Sequence, residues 1–428
     1  MRTRTHSLIC TLLVTLPTAS TLRGTEASWE GWRGPGQNAT IRNVVPPETW
    51  PESLEPVWKT EVGEGYATPL VVGDRIYQHA REGDEEVLLG LDLATGKTLW
   101  RSAKSIPFEA SMGGERHGRG PKSTPCYAEG RIFTVSITGV VTAWNAADGR
   151  QLWEEDFGSH LEKVRPYWGV ATSPVVEQGR LYVHLGSCEH GGALFCMEPA
   201  SGKILWAQKE HTNCYSSPII AEVAGVRQLV EFNHSGLSGF DLKSGKSLWN
   251  FEFPHVGRSQ NVPTPVMHDD LFVFGGEDRG VIAATPRLVN GKWTVEEAWR
   301  HDEVSMEMSS PVINGGLVYG FSDLRSGQLF CLQPSSGKVL WTGETRAGKN
   351  AQFLSIPGHV LALVDHGQLH VLRAAGESTS ILRSYRVGEG GTWTAPALVG
   401  DALLIKAGNE LARWRFPVGG ASSQNDGR

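Results

Sequence analysis

The feature that most constrains this chain is a ten-residue segment that returns with its turn residues intact. It reads Leu91-Asp-Leu-Ala-Thr-Gly-Lys-Thr-Leu-Trp100, and clear copies follow at 144–153, 197–206, 240–249 and 332–341, each with Gly four residues before Trp. Every copy has the grammar of a strand ending, a tight turn closed by a Gly free to take positive φ, a basic residue, and a strand opening toward a large aromatic. A second marker, Ser/Thr-Pro before an alternating apolar run, opens each unit at Thr68-Pro69, Thr124-Pro125, Ser173-Pro174, Ser217-Pro218, Thr264-Pro265 and Ser310-Pro311, with weaker copies at Ile356-Pro357 and Ala395-Pro396. The Trp-bearing strands are those of Trp58, Trp100, Trp153, Trp206, Trp249, Trp299 and Trp341, with Tyr385 in the eighth place. Their spacing of 42 to 53 residues matches one four-stranded propeller blade per unit. The expectation is an all-β, eight-bladed β-propeller over residues 55–416, whose Trp residues pack between blades.

Closure follows from the ends. The strand around Trp58 has no earlier strands to pair with, and the run Thr394 to Trp414 supplies three strands and lacks a fourth. Pairing them completes one blade and removes the open edges that invite aggregation. Two units are degenerate: 285–299 carries an insertion, and 373–385 has lost the Gly-Lys turn.

Outside the repeats, residues 1–27 open with two arginines, followed by an apolar run from Ser7 to Leu16 and then small polar residues, as a secretory signal peptide does. The run is too short to span a bilayer, so a periplasmic or extracellular soluble protein is expected, with no membrane span. Removing this segment moves the formal charge from −6 to −8, which argues against a nucleic-acid partner. Residues 28–54, rich in Pro and Trp, read as an extended strap on the propeller, and residues 417–428 as a disordered tail. A monomer is expected.

Five cysteines lie beyond the leader. Cys196 and Cys331 occupy a repeat position where other copies have Gly90, Ala143 and Gly239, so they serve as small buried side chains. Cys188 and Cys196 flank a hairpin and can pair in an oxidising compartment. Neither the histidines nor the acids show metal-ligand spacing, so no metal is expected. Thr95-Gly-Lys-Thr98 lacks the first Gly of a phosphate loop and is a repeat turn.

The repeat Asp-x-x-Thr/Ser-Gly-Lys-x-x-Trp closely resembles that of the pyrroloquinoline-quinone (PQQ) dehydrogenases and their non-enzymatic relatives, among them the propeller lipoprotein of the outer-membrane barrel-assembly machinery. Trp32-Arg-Gly-Pro35, Gly120-Pro-Lys-Ser-Thr-Pro125 and Trp168-Gly-Val-Ala-Thr-Ser-Pro174 are similar to segments of the PQQ-binding-like β-propeller repeat proteins, in the quinoprotein alcohol dehydrogenase-like superfamily. The resemblance implies that each repeat Trp docks on the next blade beside the Gly of its motif. It implies less about chemistry, because this fold hosts enzymes and adaptors alike. The adjacent cysteine pair that accompanies the cofactor in the dehydrogenases is absent from this sequence, as is a Cys-x-x-Cys-His haem motif.

The loops from each Trp strand to the next Ser/Thr-Pro converge on one mouth, where binding residues belong. There lie Tyr66, Arg119, Lys122, Trp168, Tyr215, Asn261, Gln352 and Trp393, together with Arg165, Arg258 and Glu307. Flat aromatics among cations suit a planar anionic ligand. The favoured expectation is a binding or scaffold module for a protein, glycan or small ligand, with no cofactor. The alternative is a PQQ-dependent dehydrogenase of an alcohol or sugar.

Overall fold

The computed structural model describes residues 28–110, 114–161, 168–186, 193–212, 214–257 and 260–419. The leader, the tail from residue 420, and Arg165, Cys188 and Arg258 lie outside the described residues. The strands form eight four-stranded antiparallel sheets, each built from consecutive strands except the last. Blades 1 to 7 occupy residues 70–105, 126–156, 175–208, 219–252, 266–301, 312–342 and 351–386. Blade 8 combines 397–415 with the strand Pro56–Glu61, which pairs antiparallel with Glu410–Arg415. The ring is therefore closed by backbone hydrogen bonds between the two ends of the repeat region.

The sequence grammar has a visible physical cause in the cross-strand register. Each repeat Trp of blades 1 to 6 sits directly opposite a small residue on the preceding strand: Gly90, Ala143, Cys196, Gly239, Ala283 and Cys331 face Trp100, Trp153, Trp206, Trp249, Trp299 and Trp341. A β-carbon on Gly90 would lie 2.3 Å from the Trp100 ring, so the position tolerates only small side chains. Cys196 and Cys331 are free, fully buried thiols, and burial raises the pKa of both. Cys196 faces the Arg180 guanidinium, and the expected pairing with Cys188 lies outside the described residues.

Between blades, the indole meets the turn Gly of the next repeat. Gly96, Gly149, Gly202, Gly245 and Gly337, all with φ between +70° and +76°, press against Trp58, Trp100, Trp153, Trp206 and Trp299. The indole N–H of Trp58, Trp153, Trp206 and Trp299 donates to a carbonyl just before that Gly: Leu93, Pro199, Leu242 and Pro334, at 2.6 to 3.4 Å. Trp249 and Trp341 break the pattern because the blades after them, 5 and 7, are the degenerate ones without the turn. Trp249 donates to Gln228 of its own blade, and Trp341 to the Ala375 carbonyl. The five Trp residues that dock on a Gly are only half-buried, whereas Trp249 and Trp341 are buried. Ile356-Pro357 does not open a unit: it lies in the first turn of blade 7, which begins at Ala351.

Residues 28–54 run across the face opposite the mouth. Trp29 bridges Val71 of blade 1, the Tyr127 N–H of blade 2 bonds to the Glu30 carbonyl, and the Ile220 N–H of blade 4 bonds to Gln37 Oε1. Arg33 is 3% exposed and donates to the Pro311 carbonyl beside blade 6. Ala39 and Ile41 share backbone bonds with Ser355 of blade 7. Beyond, Trp50 packs edge-on against Phe416, and Tyr385 Oη donates to the Pro51 carbonyl.

Candidate functional site

The Ser/Thr of each Ser/Thr-Pro has a role that its sequence pattern alone does not announce. The N–H of Thr68 donates to Thr124 Oγ1, that of Thr124 to Ser173 Oγ, that of Ser173 to Ser217 Oγ, and that of Thr264 to Ser310 Oγ, all at 2.8 to 3.0 Å. A belt of hydroxyls thus stitches neighbouring blades together around the central channel. Where it passes from Ser217 to Thr264, the Thr264 hydroxyl accepts from the indole N–H of Trp32 at 2.9 Å. Trp32 enters from the strap side and closes the channel from below, leaving a cup of about 120 Å³ open toward the mouth.

The rim of the cup is a chain of ring contacts. Tyr66 stacks on Trp393 at 6.1 Å, Trp393 meets His117 edge-on at 5.5 Å, His117 lies 4.9 Å from Trp168, and Trp168 stacks on Tyr215 at 5.0 Å. Tyr215 Oη also accepts from the Trp168 backbone N–H, which fixes the pair. Lys122 Nζ lies 5.9 Å from the Tyr66 ring centre and donates to the Gly118 carbonyl at 3.3 Å. Burial pushes its pKa down to about 8. The same cause, helped by Lys122 and Arg116, lowers the pKa of His117, so the imidazole is neutral at neutral pH. Met308, Asn350, Gln352 and the belt residues Ser173, Ser217, Thr264 and Ser310 complete the wall.

Six of the eight sequence candidates line this one cavity: Tyr66, Lys122, Trp168, Tyr215, Gln352 and Trp393. Arg119 and Asn261 do not. The Arg119 guanidinium turns outward to an exposed ion pair with Asp84 at 3.3 Å, and its backbone carbonyl accepts from Arg81. Asn261 is fully buried and committed: its Nδ2 holds the Asn233 and Phe253 carbonyls, and its Oδ1 takes the Arg279 guanidinium. It locks two mouth loops and offers a ligand nothing. Glu307 is also outside the lining. Burial, and the carboxylates of Glu277, Asp323 and Asp278, raise its pKa to about 7. Trp32 and Asn350 were not among the candidates. Trp32 belongs to the strap in sequence, and Asn350 lies in the loop that leads into blade 7, where its Oδ1 accepts from Ser309 Oγ.

Among the described residues there is no cluster of three or more His, Cys, Asp or Glu arranged to hold a metal ion. For a planar quinone the stacked pair is an obstacle: Trp168 and Tyr215 lie on each other at 5.0 Å, so a ring sandwiched in the cup would have to part them.

Ring, belt and inter-blade Trp docking define a propeller of the PQQ-repeat class. The family model described as outer membrane protein assembly factor BamB matches residues 84–343, and the chain belongs to that family. The BamB of Burkholderia pseudomallei is 25% identical over 303 residues, covering 62% of this chain and 74% of that one. The quinoprotein ethanol dehydrogenase of Pseudomonas aeruginosa is 28% identical over 171 residues, or 38% of this chain; the match spans 24% of the dehydrogenase. The crystal structure of BamB from Moraxella catarrhalis superposes with a TM-score of 0.62 at 13% identity, covering 85% of this chain and 98% of the other.

Proposed function

We propose that this chain is an extracytoplasmic binding or scaffold propeller that engages a protein partner through its mouth loops and performs no quinone chemistry. The observation that carries this reading is the cup: closed below by Trp32 and rimmed by rings that stack on one another. A channel so filled leaves the mouth loops as the surface available for recognition, and the family's assembly-factor name accords with a protein partner. No helix among the described residues is long and apolar enough to cross a membrane. In the periplasm such a ring would work as a rigid platform, because the belt and the closed blade fix the loops relative to one another.

A photo-crosslinking amino acid at Lys349 or Glu389, both exposed on mouth loops, tests the reading against one at Glu129 on the strap side. Discrete adducts in the cell envelope are expected from the mouth positions and not from Glu129. Adducts from Glu129 alone would overturn the choice of face. The dehydrogenase alternative has the 28% identity to a quinoprotein in its favour. Turnover of an alcohol or sugar with PQQ, calcium and an artificial electron acceptor would establish it.

A further inference from the structure

Two histidines at the mouth lie ring on ring and so oppose each other's protonation. His234 belongs to the turn at 234–235 of blade 4, and His255 to the loop that carries the chain on to blade 5. Their ring centres are 3.7 Å apart, with 32° between the planes. The stack sits on the hydrogen bonds that fasten the loop to the turn. The His255 N–H donates to the His234 carbonyl at 3.1 Å, and the Phe253 N–H to the Ser235 carbonyl at 3.0 Å. The His234 N–H donates to the Thr212 carbonyl at 3.0 Å, so three mouth loops meet at the pair. Past His255 the loop is lightly held, with Val256 62% exposed.

The surroundings add positive charge and no counter-charge. From the turn at 276–280 of blade 5, the Arg279 guanidinium donates to the Pro254 carbonyl at 2.8 Å and to Asn261 Oδ1 at 2.7 Å. Burial lowers the pKa of both imidazoles; beyond it, His255 opposes charge on His234, and Arg279 opposes charge on His255. The carboxylates on this side of the mouth act elsewhere: Glu231 and Glu210 on His211, Glu277 on Arg279, and Asp302 and Glu303 on His301. From the loop before blade 4, Cys214 holds Gln260 Oε1 at 3.3 Å, and burial keeps its thiol neutral by raising the pKa to about 11. Like charges this close in a half-buried site repel far more than they would in water.

We propose that the His234–His255 stack is an acid-operated latch: protonation parts the rings and releases the loop at His255 from the turn at His234, while the blades stay intact. The sign follows from linkage. In the open loop both imidazoles protonate at the ordinary 6.5, whereas the closed stack resists protonation. The latch is therefore fully closed above that value and is lost as the pH falls below it. At pH 5, one proton taken up only by the open form favours opening by about thirtyfold. The latch is a property of the chain alone and does not depend on what the mouth binds.

The test is amide hydrogen exchange of the full chain by NMR at pH 7 and pH 5, corrected for the pH dependence of the intrinsic rate. Opening at the His255 amide should be at least about tenfold more frequent at pH 5. The Ile106 N–H, which joins the corresponding loops of blade 1 by a 3.0 Å bond to the Asp84 carbonyl, should not change. His234→Phe combined with His255→Phe keeps two stacked rings without a titratable group and should lose the acid response; an unchanged thermal melt at pH 7 verifies that it is folded. Independently of any variant, the imidazole resonances of both histidines should titrate below 6.5. Equal opening at His255 at the two pH values, an equal rise at Ile106, an acid response retained by the folded double variant, or midpoints at or above 6.5 would each overturn the proposal.

Discussion

Replacing Gly245 by Ala isolates the energy of the inter-blade Trp lock. Gly245 closes the repeat turn of blade 4 at φ +70°, and a β-carbon there would fall 2.4 Å from Trp206 Cε3 and 2.6 Å from Cζ3. Gly225, in the first turn of the same blade, has φ +75°, and a β-carbon there would meet nothing within 4 Å. Both substitutions force an L-residue into the left-handed region, a cost of about 1–2 kcal/mol. Only Gly245→Ala must also push the indole outward, and overpacking of that kind adds about 1–3 kcal/mol. Gly245→Ala should therefore destabilise by about 3 kcal/mol and Gly225→Ala by about 1.5 kcal/mol, read as the shift of the urea unfolding midpoint by tryptophan fluorescence. In the Trp206→Ala background the two should become equal, since the clash has lost its partner. Equal destabilisation in the native background would refute the claim that the repeat Gly is required by the neighbouring Trp.

Trp206→Ala itself should cost about 2–3 kcal/mol, below the roughly 3–5 kcal/mol of a fully buried aromatic, because the indole is half-buried and its N–H bond to Leu242 is 3.4 Å long; urea unfolding measures it. Truncation after Gly390 removes three strands of blade 8 and should abolish the cooperative thermal melt, as it exposes two edges. A truncated monomer with an unchanged midpoint would contradict closure. Burial holds the Lys406 ammonium at a pKa of about 8 against the attraction of Glu64, below the 10.5 of an ordinary lysine. Between pH 8 and 10 the folded chain then gives up this proton before the unfolded one, so stability should rise with pH, by a total on the order of 3 kcal/mol. Lys406→Met should flatten that rise, as followed by urea midpoints at each pH.

The fold was legible because its determinants are local and repeated. The turn Gly, the Trp four residues on, and the small residue opposite that Trp recur at one spacing, and each answers to a contact within one blade or with the next. What the spacing could not show was how deeply each Trp is covered. Trp249 and Trp341 lost their Gly partners to degeneracy in the following blades, and they are buried by other means. The candidate site was legible only as a set of loops that meet. Side-chain direction decided the rest: Lys122 points into the cup while Arg119, three residues earlier, points to Asp84. Asn261 spends its amide on two loop carbonyls. Trp32 reaches the cup from a strap more than two hundred residues distant from Thr264, and no local pattern marks such a contact.

The filled channel is tested most simply by calorimetric titration of the purified full chain with PQQ in the presence of calcium, alongside Trp32→Ala. Because Trp32 and the stacked Trp168–Tyr215 pair fill the channel, the unmutated chain should show no saturable heat. Stoichiometric binding to the unmutated chain, with the loosened variant no better, would contradict the claim that the cup excludes a quinone.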